Sequence, residues 1–282
     1  MAASAGNVPE ANVPEALAAA LLEGRLVVSV GSGFSRAASL PSWVALLNTI
    51  TRECNLAWEA LPQASDSHDS MDQLQFEVVR QAGREEACRV MRQELHGKTS
   101  ADMTRLLDAL FALPIAAVIT WNWDDVLDSR CLLLRSDMTS RSFEAVLKSR
   151  ARALRAKQVA RTPPLLKLQG HLDDVAKVIL DEADYARVKP VRDAFLRRLY
   201  VDSGMVVLHL GSQIDCGGVV GPIRSVLAGQ ERHYAIVPNA SEALHETAKK
   251  QGVRLLSYDG TSGHVDPLCD WLGVLLDRCH KG

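Results

Sequence analysis

The chain has 282 residues, 47% of them hydrophobic and 23% charged, with a formal net charge of -2. This allows one large buried core, or one domain carrying a sub-domain, and the near-neutral balance gives no global attraction to nucleic acid or an acidic membrane surface. The six cysteines (Cys54, Cys88, Cys131, Cys216, Cys269, Cys279) form no C-x-x-C pair, which argues against a structural zinc module and, at this length, against a disulfide framework. The N-terminus lacks the basic-then-apolar pattern of a signal peptide, and no apolar run is long enough to span a bilayer. The expectation is a soluble cytoplasmic protein with a disordered segment at 1–13 and a single domain over 14–282.

The first helix is expected over Glu15–Leu22, with Leu17, Leu21 and Leu22 on one face and Gly24 ending it. A strand over Arg25–Val30 follows at once and runs into Gly31-Ser32-Gly33-Phe34-Ser35. A buried strand, a glycine turn and a helix start make a site for a phosphate or pyrophosphate, because glycine admits the ligand to the backbone and the free N–H groups point at the anion. The third glycine of the dehydrogenase fingerprint is replaced by Arg36, so a simple tight β-to-α turn is the competing reading. Pro41 keeps the next stretch a loop before a helix over Trp43–Glu53. Between about 57 and 113 the apolar residues keep helical spacing, with a polar break at 63–70, and predict a helical insertion whose stripes are core.

Alternation resumes with Ile115–Thr120, a short strand delivering Trp121-Asn122-Trp123-Asp124-Asp125 at its C-terminal end. Further strands are expected at Pro164–Leu168, Ala176–Leu180, Met205–Leu210, Tyr234–Val237 and Val253–Tyr258, with helices at Val191–Tyr200, Val219–Ala228, Ala240–Gln251 and Val265–Cys279. Alternating strands and helices imply parallel pairing, hence an α/β fold: a Rossmann-like three-layer parallel sheet with a helical insertion. Arg141–Arg161 carries seven basic residues against Glu144. It is a solvated helix face or a contact with an acidic partner, a second subunit or nucleic acid; no aromatic residues follow to stack bases.

The expected strand ends carry polar or glycine-rich punctuation at Gly31–Ser35, Thr120–Asp124, Lys167-Leu168-Gln169-Gly170-His171, Leu210–Asp215 and Val237-Pro238-Asn239. In this order the set resembles the sirtuin-like superfamily, whose members bind NAD and cleave its nicotinamide–ribose bond. Gly31–Ser35 is similar to the family's G-A-G-x-S loop, and Leu40-Pro41-Ser42-Trp43 to the following G-L-P-x-W. Thr120–Asp124 is similar to T-x-N-x-D, and Gly211, Ser212 and Asp215 to a later G-x-S-x-x-D with the serine one position early. Leu180 to Asp184-Tyr185 resembles the stretch after the family's histidine motif, and Asn239 the asparagine ending the penultimate strand. The likeness runs from about residue 14 to 276.

The resemblance implies NAD as substrate, without a metal. Gly31, Ser32, Gly33 and Ser35 would meet the pyrophosphate, and Asn239 and Asp259 the adenosine end. Trp43, Thr120, Gly211, Ser212 and Asp215 complete the binding set. Asn122 would hold a ribose hydroxyl or a water, with Asp124 supplying charge or orienting Asn122; an Asx-type cap with a core Trp is the structural alternative. Nicotinamide leaves a cation as a neutral molecule, so no general acid is required, only a stabilised oxocarbenium-like centre and a placed nucleophile. The family's basic histidine is here Gln169, which cannot titrate. His171 is a relocated base or an ordinary loop residue; the other readings are an inactivated site, or a reaction in which water placement by Asn122 suffices. With no four-cysteine module, the chain resembles the bacterial anti-phage branch of NAD-depleting effectors, controlled by homo-oligomerisation or by a separate sensor protein, with nucleic acid reached only through a partner. The expected activity is NAD glycohydrolase; the alternative is a non-catalytic NAD- or ADP-ribose-binding or assembly module.

Overall fold

A computed structural model describes residues 13–57, 68–134, 140–156, 162–211, 232–261 and 263–281. Expectations for the N-terminal segment, the helix at 219–228, Ser212 and Asp215 lie outside the described residues, apart from Val13, which is buried. Helix α1 (Glu15–Leu22) leads into β1 (Leu26–Val30), all five residues of which are buried. A one-turn helix α2 (Ser32–Ser35) and a 3₁₀ turn (Arg36–Ala38) follow. Among the described residues, four helices then lie between β1 and the next strand: α3 (Trp43–Glu53), α4 (His68–Ala82), α5 (Arg84–Leu95) and α6 (Ala101–Ala112). Ser42 caps α3 and Ser100 caps α6, each accepting a backbone N–H three residues on.

After β2 (Ala117–Thr120) come the two-residue β3 (Leu132–Leu133), helix α7 (Ser140–Arg155) and β4 (Pro164–Lys167). Helix α8 (Glu182–Arg197) passes into a π-turn (Arg198–Asp202), then β5 (Val206–Leu210) and β6 (His233–Pro238). Helix α9 (Glu242–Lys250), β7 (Val253–Tyr258) and α10 (Val265–Lys281) complete the order. The strands form one parallel sheet, β3-β4-β2-β1-β5-β6-β7, with β1 at its centre. Period-two alternation divides its residues between two cores. Leu26, Val28, Val30, Val118, Leu208 and Leu210 face α1, the α3–α6 helices and α10, while Val27, Ile119, Leu166 and Val207 face α7 and α8. Helices on both faces of a parallel sheet make the expected three-layer fold.

Two expectations are corrected. Ala176–Leu180 is not a strand but a loop, its Val178, Ile179 and Leu180 side chains buried. The side chains of two residues on α4 and α5 satisfy its carbonyls: Gln75 donates to Leu180 O at 2.5 Å, and Arg84 donates to Val175 O at 2.6 Å and to Val178 O. The seventh strand is instead β3, at the edge, with both leucines exposed. Helix α8 also begins nine residues earlier than the expected Val191, because Asp181 caps it by accepting the Asp184 N–H at 2.8 Å, and the helix continues through Pro190.

Candidate functional site

All seven strands run parallel, so their C-terminal ends share one edge of the sheet. The chain turns back at the centre: β1 leads to β2 on one side, and β5, on the other side of β1, leads to β6. In open α/β sheets ligands bind in the crevice at such a switch point. Here the two bordering loops touch. Gly31 N–H donates to Leu210 O at 2.9 Å, and Gly33 N–H to Gly211 O at 3.0 Å. Gly211 has φ +62, and a Cβ there would lie 2.1 Å from Phe34 N; a Cβ on Gly33 would lie 2.9 Å from Gly211 O. The glycines therefore permit this loop-to-loop approach. With the Gly31, Gly33 and Phe34 N–H groups engaged in the protein, the exposed Ser32 is the part of the turn best placed to meet an anion.

One strand over, Thr120 acts as a latch. Its hydroxyl donates to Val30 O at 2.8 Å and accepts Asn122 N–H at 3.1 Å, fixing the end of β2 against β1. Asn122 Nδ2 donates to Ser35 Oγ at 3.0 Å, and the Ser35 hydroxyl lies close enough to the Asp124 carboxyl to pull its pKa down. The amide oxygen of Asn122 is the end left for a ligand. Asp124 is only 6% exposed. Burial pushes its pKa up, against opposing pulls from Ser35, the Val126 N–H and Lys167.

Lys167 ends β4 and is 2% exposed. Its Nζ donates to Asp124 O at 2.7 Å and pairs with both Asp128 carboxylate oxygens at 2.8 and 2.9 Å. The ammonium thus pins the Asn122–Asp128 loop to the neighbouring strand. The sequence signal for it was a lysine inside the apolar run P-L-L-K-L, although sequence reasoning gave it no role. Beyond it, Gln169 Nε2 donates to the Tyr185 hydroxyl oxygen at 2.6 Å. His171 is half-buried, and burial, helped by Lys167, lowers its pKa, so the ring is neutral near pH 7 and able to accept a proton.

Of the other expected residues, Asn239 and Asp259 lie on the same edge of the sheet, and Trp43 packs against the loop there. Trp43, at the start of α3, stacks on Trp123 with ring centroids 4.9 Å apart, joining the α3–α6 helices to the β2 loop. Asn239, at φ +46, accepts Gly260 N–H at 3.1 Å, while Asp259 accepts the Thr261 N–H and hydroxyl at 2.9 and 2.7 Å. Both are exposed; Asn239 joins the ends of β6 and β7, while Asp259 closes the local turn after β7. From β4 to β6 there are four strand spacings, about 19 Å, which suits an elongated ligand with chemistry at one end better than a lone phosphate.

The family model of the SIR2-like domain matches residues 116–256, half of the chain. The chain belongs to the SIR2-like family. The match covers Asn122, Asp124, Gln169, His171, Gly211 and Asn239, while the glycine turn, Trp43 and Asp259 lie outside it. SIR2-like domains bind NAD, and the family is in general NAD-dependent and enzymatic. No curated protein matches the chain.

Proposed function

We propose that this SIR2-like chain is an NAD glycohydrolase, splitting NAD into nicotinamide and ADP-ribose. The observation that carries the reading is the Asn122–Ser35 hydrogen bond, with buried Asp124 close by, beside the Gly33–Gly211 contact. In the proposed step the bond between the ribose anomeric carbon and the pyridinium nitrogen breaks, its electron pair going to nicotinamide, which leaves neutral. A water on Asn122 Oδ1 adds to the oxocarbenium-like carbon, and neutral His171 accepts the released proton. Ser32 meets the pyrophosphate, and the Asn239–Asp259 end of the crevice takes the adenosine.

Control by self-assembly or a separate sensor protein, and a role as an NAD-depleting effector in bacterial antiviral defence, belong to this reading. Its support is the order of the motifs together with a sequence free of paired cysteines. A second reading, a binding module that has lost turnover, draws on the non-titrating Gln169. Incubating the pure protein with NAD at several protein concentrations and following nicotinamide release decides between them. Release that falls at least about 100-fold in Asn122→Ala, as for an interaction made chiefly in the transition state, supports the glycohydrolase. Retained NAD binding without release in any assembly state supports the module.

A further inference from the structure

Gln169 is held more tightly than an idle loop glutamine needs to be. Its amide nitrogen donates to Tyr185 at 2.6 Å, and Gln75, whose own amide is anchored on Leu180 O at 2.5 Å, lies close enough to the phenol to bear on its pKa. Gln75 is 2% exposed and belongs to α4, in the helices between β1 and β2. The Tyr185 ring packs on Phe76 of the same helix, with centroids 5.4 Å apart. The Arg192 guanidinium lies 5.6 Å from the Tyr185 ring centroid and 5.7 Å from that of Trp121, the residue before Asn122. Burial and the charge of Asp72 raise the phenol pKa, so Tyr185 keeps its proton throughout the working pH range.

The chemical consequence concerns which end of the amide is available. A carboxamide has a donor end and an acceptor end. With the donor end of Gln169 on Tyr185, the acceptor end is the one that remains. A phenol packed against the Phe76 ring and the Arg192 guanidinium has little freedom to release it.

We infer that Tyr185 is a positioning residue. It fixes Gln169 so that the amide oxygen is presented as a neutral, non-titrating acceptor for a ribose hydroxyl or the attacking water. This deepens the glycohydrolase reading and rests on it. A fixed acceptor orients an O–H without removing its proton, so the proton released in the reaction goes elsewhere, and residue 169 adds no ionisation to the rate.

The test is a double-mutant cycle in nicotinamide release by the full chain, using Tyr185→Phe, Gln169→Ala and the pair, with kcat, KM and thermal midpoint measured for each. Tyr185→Phe keeps the ring and its packing and removes only the hydroxyl. The expected result is a kcat about tenfold lower in Tyr185→Phe, the size of one aligned hydrogen bond, with KM changed less than twofold. In the Gln169→Ala background the second substitution should cost nothing more, because Tyr185 acts through Gln169. Effects that multiply in the pair, or a Tyr185→Phe kcat equal to wild type, overturn the assignment while leaving the glycohydrolase standing. Wild-type protein that binds NAD and never releases nicotinamide overturns both. Should Tyr185→Phe lower the thermal midpoint, the cycle is read well below the lowest midpoint of the four proteins, and the same non-additivity with Gln169→Ala is required.

Discussion

Asn122 is held twice: Thr120 fixes its backbone, and Ser35 fixes its side chain. Removing the Ser35 hydroxyl frees the Asn122 amide. Ser35→Ala should therefore lower nicotinamide release about tenfold or more with little change in NAD affinity, a split visible in kcat against KM. Gln169→His places a titratable ring where this chain has an amide. If the site can use a base there, kcat acquires an acid limb near pH 6.5, whereas the wild-type rate follows only groups such as His171. That these residues fall at strand ends was legible in the sequence, since polar punctuation after short apolar runs marks such ends. Their partners were not: that Asn122 meets Ser35, 87 positions away, or that Gln169 meets a tyrosine on α8, depends on strand register and helix placement.

Among the elements, strands buried on both faces announced themselves as short apolar runs, and β1, β2, β4, β5, β6 and β7 lie where those runs lie. The misreading of Ala176–Leu180 has a physical reason. Its apolar side chains are buried like those of a strand, but side chains of α4 and α5, rather than a neighbouring strand, take its carbonyls. Arg84 also pairs with Asp184 at 2.6 Å and with Asp181 at 3.2 Å, so one guanidinium ties α5 to both the loop and the start of α8. Arg84→Met should loosen that whole attachment. Amide hydrogen exchange across 175–185 is the measurement, and protection there should fall ahead of protection in the sheet. The contact between the loops after β1 and β5 makes a sharper prediction. Gly211→Ala forces a left-handed residue to carry a methyl group against the Phe34 backbone. It should destabilise the fold by about 2 kcal/mol or more and abolish NAD binding; a variant that binds NAD normally would show the contact to be dispensable.

For the whole molecule, acid stability is set beneath the sheet. His209 on β5 meets the Tyr200 hydroxyl at 3.1 Å, and His233 on β6 accepts the Val207 N–H at 3.1 Å and lies 2.8 Å from Tyr200 O. Burial lowers their pKa values to about 3 and about 4, from an ordinary value of 6.5. Folded, both rings are neutral where the unfolded chain would bind protons. Their contribution is therefore complete above pH 6.5 and is lost as pH falls towards 4 and 3, on the order of 1.4 kcal/mol per histidine per pH unit. Urea unfolding midpoints should fall steeply between pH 6 and 4, and His209→Gln should flatten that fall even where it lowers stability at pH 8.

The position of β1 has a consequence for anyone cutting this chain. The segment that carries the family signature, 116–256, omits β1, yet β1 pairs with β2 on one side and β5 on the other. Expressed by itself that segment would hold two half-sheets, each with a long apolar edge opened to water, and should be recovered as insoluble protein. The matched segment is thus not a folding unit, and its missing keystone lies upstream of residue 116.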